Sequence, residues 1–303
     1  MTRLKRCVVL DTNAYRRLAR HRAPAEARRK GTGIRAHDQR QGVQAVAHPL
    51  VIVELLAHLS DPADPDREDR RSAVVTLWEH CGTTLGGSRQ LAILEDPEAQ
   101  LAAALYGCCP IVNHRLIENL ALTARLVGET DGDEILSKLN DTLKSFAATV
   151  DSIEERFVQD MMQFVLQVFD PHAQTWDALT KNRDLLARVL KYLDSEESVI
   201  TLARAKVRLA RRVVEGDQSQ PIEDDEVARV IDAFGCHLQL YRQIVRKMVQ
   251  TGCDVTKPKH RNWIWDLQIA FAIGGYTVRN GLVTDFVTGA QKRPGPPASR
   301  VEF

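Results

Sequence analysis

Between residues 90 and 250, apolar side chains recur every three or four positions almost without interruption, and this limits what the chain can fold into. Such a period marks amphipathic helices that each bury one stripe. Asp96-Pro97 opens one helix and Gly107-Cys108-Cys109-Pro110 closes it; another spans roughly 114–127. Thr130-Asp131-Gly132-Asp133-Glu134 starts a segment near 134–169 in which Ile153, Phe157, Met161, Phe164, Val165 and Val168 keep helical step. Unbroken, it would run about 50 Å at ~1.5 Å per residue. Asp170-Pro171 stops it, and helices over about 176–193, 196–214 and 226–250 follow. No repeat of fixed length is present.

The two ends of the chain have a different grammar. Cys7-Val8-Val9-Leu10-Asp11-Thr12-Asn13 is a short apolar run ending in a carboxylate, with a helix expected over 12–20. A buried parallel strand delivers an acid to the carboxyl edge of a sheet in this way, and an N-cap for the next helix has the same appearance. Residues 43–47 read as a second strand. Pro49 then opens a very apolar helix in which Glu54 is the lone acid, costly to bury unless paired, hydrogen-bonded or bound to metal. Breaks at Ser60–Asp66 and Gly82–Gly87 flank a helix around 68–80. Late in the chain, Trp263–Ile273 reads as an apolar helix with Asp266 near its start. Gly281–Thr284 reads as a strand leading into Asp285.

Charge is balanced overall, with 41 Lys and Arg against 40 Asp and Glu, so only local clusters speak to nucleic acid. The stretch from Ala14 to Gly42 carries nine basic residues, among them Arg16, Arg28, Arg29 and Lys30, opposed only by Glu26 and Asp38. Residues 21–42 lack an apolar period and read as a mobile loop, either a solvated charge run or an arm that holds a polyanion near Asp11. A basic loop at 256–261 includes Lys257, Lys259 and Arg261. Arg204, Arg208 and Arg211 or Arg212 line one helix face, as a solvated surface or a phosphate-contacting ridge. The six cysteines form no CxxC pair and no zinc spacing, and read as reduced thiols of a cytoplasmic protein. Neither a signal-peptide core nor a membrane-spanning run is seen, so no membrane partner is expected.

Asp11, Glu54, Asp266 and Asp285 thus stand at strand ends and helix starts, which converge on one rim of a parallel sheet. Carboxylates gathered there repel unless a cation sits among them, and an all-oxygen set selects Mg²⁺ or Mn²⁺. Such an ion activates water for attack on a phosphodiester. In Val8–Asn13, Val51–Leu56, Trp265–Ala272 and Leu282–Phe286 the chain resembles the PIN-domain nucleases. The resemblance implies a three-layer α/β/α fold with a central, mainly parallel sheet. It implies Asp11, Glu54, Asp266 and Asp285 as catalytic metal ligands, supported by Thr12, Asn13 and Thr284. It implies endonucleolytic hydrolysis of RNA leaving 5′-phosphate ends, and for many members a toxin–antitoxin role with an antitoxin or regulatory partner. Two departures stand out: Thr284 and Asp285 are adjacent where the family has one residue between them, and the compact family form lacks the long helical stretch.

The expected organisation is therefore a PIN-like nuclease core from 1–90 and 255–292, a helical insertion over 91–254 whose stripes suit internal packing or a homodimer, and a disordered tail at 293–303. The alternative is a scaffold with incomplete metal ligation that binds RNA or protein. A phosphotransferase with Asp11 as nucleophile would want an acid at position 13, where Asn13 stands.

Overall fold

The computed structural model describes residues 6–108, 110, 112–130, 134–170, 172, 175–214, 220–254, 257, 265, 267–273, 283–287 and 301–302. In chain order the elements are β1 (Arg6–Leu10), α1 (Thr12–Ala19), α2 (Pro24–Arg40), β2 (Val43–Ala45), α3 (Pro49–Ala57), α4 (Arg67–Cys81), β3 (Gly82–Leu85), β4 (Ser88–Leu91), α5 (Pro97–Tyr106), α6 (His114–Glu129), α7 (Glu134–Lys138), α8 (Asn140–Met162), α9 (Asp177–Lys181), α10 (Arg183–Leu193), α11 (Glu196–Val214), α12 (Asp224–Thr251), β5 (Val283–Val287) and β6 (Val301–Glu302). They fall into two units: residues 1–96, 113–151 and 280–303, and residues 97–112 and 152–279. The first unit takes in 113–151 and the second takes in 255–279, so the division runs elsewhere than the helical periodicity suggests.

The expectation of a three-layer α/β/α fold built on a central sheet is corrected. Helix predominates among the described residues, and the parallel sheet is small. Its order is β2-β1-β5, with β6 added antiparallel at the β5 edge. A separate antiparallel hairpin, β3-β4, turns on Gly86-Gly87, both at positive φ, where glycine carries no Cβ penalty. Val301–Glu302 pairs with β5, so that part of the tail is a strand where disorder is expected from its composition.

The first unit is organised around α4. Every residue from Arg71 to Cys81 is buried, although five of them are polar or charged: Arg71, Ser72, Thr76, Glu79 and His80. Burial on all sides is tolerable because each of these five side chains makes at least one hydrogen bond. Ser72 Oγ donates to the Arg22 carbonyl at 2.7 Å, Thr76 Oγ1 to the Ser72 carbonyl at 2.8 Å, and Arg71 to the Thr130 carbonyl at 3.0 Å. Two glycines let neighbouring helices close on α4. A Cβ on Gly31 of α2 would meet the Glu79 Cβ at 2.6 Å and the Thr76 carbonyl at 2.7 Å; one on Gly128 of α6 would meet the Trp78 ring at 2.6 Å.

Residues 24–40 are therefore helix, where a mobile loop is expected from the sequence. Their buried face is Ala27 and Gly31, small residues whose contribution is close approach, and they leave no apolar stripe to read. Likewise the continuous helix expected over 134–169 is divided: α7 ends at Lys138, α8 runs 140–162, and a π-helical turn occupies Gln163–Gln167.

The second unit is a helical assembly whose core joins Leu101 and Leu105 of α5, Val189 and Leu193 of α10, Val207 and Ala210 of α11 and Val230, Phe234 and Val245 of α12. Arg211 is buried within it. It donates to both Glu226 oxygens at 3.1 and 2.5 Å and to the carbonyls of Gln220 and Pro221, while the Tyr106 hydroxyl donates to Glu226 at 2.8 Å. Arg212 pairs with Glu98 and Arg204 with Asp224. The arginine ridge expected on α11 is thus largely spent on ion pairs, leaving Arg208 exposed and without one among the described residues.

Candidate functional site

β1 is the central strand of the three parallel ones, and its carboxyl end presents Asp11. Asp11 is 3% exposed and caps α1: its backbone is extended, and its Oδ1 accepts the Ala14 N–H at 2.5 Å. Thr12 follows, also buried, and its hydroxyl donates to Glu54 Oε2 at 2.5 Å. That bond spans 42 positions of sequence and brings the lone acid of α3 to the residue beside Asp11. Glu54 is partly exposed, and His58, one turn later, lies 3.9 Å from its other oxygen. Asn13 is exposed at the start of α1.

At the end of β2, His48 occupies the position equivalent to Asp11 on β1. It is fully buried; its Nδ1 accepts the Leu50 N–H at 3.0 Å and caps α3. Burial pulls its pKa down to about 3, so the ring is neutral and carries its proton on Nε2, which has no acceptor among the described residues. A histidine before a proline-led helix was the available sequence signal, and it reads as a cap as readily as a functional group.

Asp285 is placed differently. Register pairs it with Val8, three residues short of Asp11, and β5 continues to Val287. At ~3.3 Å per residue that sets Asp285 about 10 Å back along the sheet from Asp11. Arg6, on the same face of the neighbouring strand, donates to both of its oxygens at 2.8 Å. Asp285 thus lies within its strand, although the sequence suggests the strand's end. Thr284 points to the opposite face, level with Cys7, and is buried. Asp266 lies outside the described residues. Among the described residues no three His, Cys, Asp or Glu side chains are grouped to hold a metal ion.

The basic residues expected to hold nucleic acid divide too. Arg29 and Lys30 are exposed on α2 and Arg16 is half-buried on α1. Arg28 donates to the Gly128 carbonyl at 2.8 Å and lies 3.7 Å from Glu79. Lys257 is exposed, 3.6 Å from Asp254; Lys259 and Arg261 lie outside the described residues.

A second polar cluster escapes a reading of the sequence because one member, Asp38, sits in the stretch that lacks a helical pattern. His80 Nε2 is 2.8 Å from Asp38 Oδ2, and its Nδ1 is 3.0 Å from the Tyr15 hydroxyl, which in turn lies 3.1 Å from Cys81 Sγ. Burial alone would lower the His80 pKa; the bond to Asp38 and the nearby Cys81 outweigh it and raise it to about 9. The ring is therefore a cation at neutral pH and donates from both nitrogens, which leaves the Tyr15 hydroxyl to donate to sulfur. Burial, then Cys81, pushes the Tyr15 phenol well above its usual range. The described cysteines, Cys7, Cys81, Cys108, Cys236 and Cys253, are all free thiols.

Comparison of the chain with family models, curated proteins and solved structures gives no match. Among the described residues no helix is long and apolar enough to cross a membrane.

Proposed function

We propose that the carboxyl edge of the parallel sheet serves a divalent-metal-dependent hydrolysis of RNA phosphodiesters, with Asp11 and Glu54 as the protein's metal ligands. The observation that carries the reading is the Thr12–Glu54 hydrogen bond, which ties a second carboxylate beside the acid at the end of the central strand. The donor set is hard oxygen throughout, and a magnesium-type ion keeps several waters and needs only one or two protein carboxylates. When bound, such an ion lowers the pKa of a coordinated water and shields the phosphodiester's charge. Thr12 fixes the rotamer of Glu54, and the α1 N-terminus holds Asp11 in place. Asp285 is not used, because Arg6 neutralises it. The choice of RNA rests on the likeness of Val8–Asn13 and Val51–Leu56 to PIN-nuclease segments, a likeness of two segments and not of architecture.

The Arg6–Asp285 pair favours a second reading, a protein that binds RNA without cutting it. One experiment separates the two. Full-length protein is incubated with mixed RNA and DNA, with and without Mn²⁺, and the ends produced are mapped. The expected outcome is Mn²⁺-dependent cleavage of RNA leaving 5′-phosphates, reduced at least about a hundredfold by Asp11→Asn, a substitution that keeps the helix cap. Retention of RNA with no cleavage establishes the second reading, and full activity in Asp11→Asn removes this residue from the site.

A further inference from the structure

A cavity of about 390 Å³ opens beside α2, walled by Arg35, Gln39, Gly82, Thr83, Thr84 and Arg89. It shares four of these residues with a neighbouring cavity of about 240 Å³, whose lining includes Asp38, His80 and Cys81. All of these residues belong to the first unit.

The charges do not cancel there. Among the described residues Glu79 is the acid bonded to Arg89: it receives two bonds from Arg89, at 3.1 and 2.6 Å, and one from the Thr32 hydroxyl at 3.0 Å, with Arg28 3.7 Å away. Asp38 is matched by the His80 cation. Arg35 is left over. It donates to the Gly82 carbonyl at 3.2 Å and has no ion-pair partner among the described residues. Burial and the like charge of Arg89 press against its ionisation more than the attraction of Glu79 favours it, yet a guanidinium stays charged in proteins.

The cations are also held ready. Arg89 lies 5.2 Å from the centre of the Trp78 ring and so close to Gly82 that a Cβ there would meet its Nε at 2.7 Å. Thr83 and Thr84, successive exposed residues of β3, also line the cavity, and a threonine hydroxyl can donate. Two neighbouring guanidinium groups, one of them without an ion-pair partner among the described residues, present the charge and N–H donors that suit a tetrahedral oxyanion.

We propose that this cavity binds a phosphate group, with Arg35 and Arg89 as its charged donors and Thr83, Thr84 and Gln39 completing the shell. The site is separate from the Asp11–Glu54 edge and does not depend on the hydrolytic reading.

The test is ³¹P line broadening on the full chain, without divalent metal, using inorganic phosphate, adenosine 5′-monophosphate and a 5′-phosphorylated oligoribonucleotide. Wild type broadens at least one of the three. Broadening by inorganic phosphate shows that the free anion suffices; broadening by the oligonucleotide alone assigns a phosphate carried by RNA; both support the site. Arg35→Gln weakens the binding at least tenfold. Thr84→Asp, on an exposed strand position remote from the core, abolishes it without disturbing α2. No broadening of any probe by wild type overturns the proposal, as does wild-type binding in Thr84→Asp. Because no cleavage is read, a failure here and a failure of the nuclease reading remain distinct.

Discussion

Each unit buries an ion pair that also engages a tyrosine hydroxyl, and the two pairs differ in one chemical respect. In the second unit Arg211, Glu226 and Tyr106 sit in an apolar helical core, and backbone carbonyls take the remaining guanidinium donors. Burial tends to raise the Glu226 pKa, but the bonds from Arg211 and Tyr106 hold it below the usual range, and burial lifts Tyr106 to about 12. Nothing in that set titrates near neutrality. In the first unit the cation is His80, which can lose its proton, and the Asp38–His80 pair lines a cavity. The network of the second unit is a closed fastening; that of the first unit couples the docking of α2 to protonation. The first unit also carries the strand-edge acids Asp11 and Glu54 and the arginine-lined cavity.

Breaking the closed fastening has the largest expected effect. Arg211→Met strands a buried carboxylate and costs about 3–5 kcal/mol, whereas Arg211→Met with Glu226→Leu recovers most of it. Urea unfolding of the two variants checks this; equal losses would mean that the pair is not internally matched. The open network gives the next effect. His80 has a folded pKa of about 9, above its ordinary 6.5, so its contribution is fully present below pH 6.5 and disappears as pH rises through about 9. The total is at most about 3 kcal/mol by linkage. After correction for intrinsic exchange, amide protons of α2 should exchange faster over that window and those of α12 should not. His80→Gln removes the difference.

A smaller effect tests how α2 is seated. Gly31→Ala forces a methyl onto Thr76 and Glu79 and destabilises by about 1–3 kcal/mol. Gly33→Ala, two residues on and facing open space, is neutral or stabilises by up to ~1 kcal/mol. Equal behaviour of the two would contradict the close packing of α2 on α4. The smallest effect concerns Asp285→Asn, which weakens a partly exposed, charge-assisted pair by about 1 kcal/mol in thermal unfolding.

Much of the secondary structure was legible. The strand at 7–10 and the helices at 12–20, 68–80 and 196–214 match β1, α1, α4 and α11 within a residue or two, because each joins a strong apolar pattern to a capping or breaking residue. α2 was not legible: its packing face is Ala27 and Gly31, which hydrophobic periodicity does not register. The fold class departs from the expectation because the strand-like ends form only a small sheet while helix predominates among the described residues. At the site, Glu54 accepts a bond from the hydroxyl of Thr12, the residue after Asp11, and that hydroxyl has no signature of its own in the sequence. Asp285 illustrates what pattern omits. Strand register, set by pairing with β1, moved it back from the edge and into the reach of Arg6. The partners of His80 were hidden for the same kind of reason, since Tyr15, Asp38 and Cys81 come from three separate segments.

The proposed hydrolysis requires that Asp11, and not Asp285, bind the cation. Titration of Mn²⁺ followed by its electron paramagnetic resonance signal tests this without substrate. The prediction is loss of the free-ion signal with wild type and with Asp285→Asn, and its recovery with Asp11→Asn. A free-ion signal undiminished by wild type, or one restored by Asp285→Asn as fully as by Asp11→Asn, would contradict it.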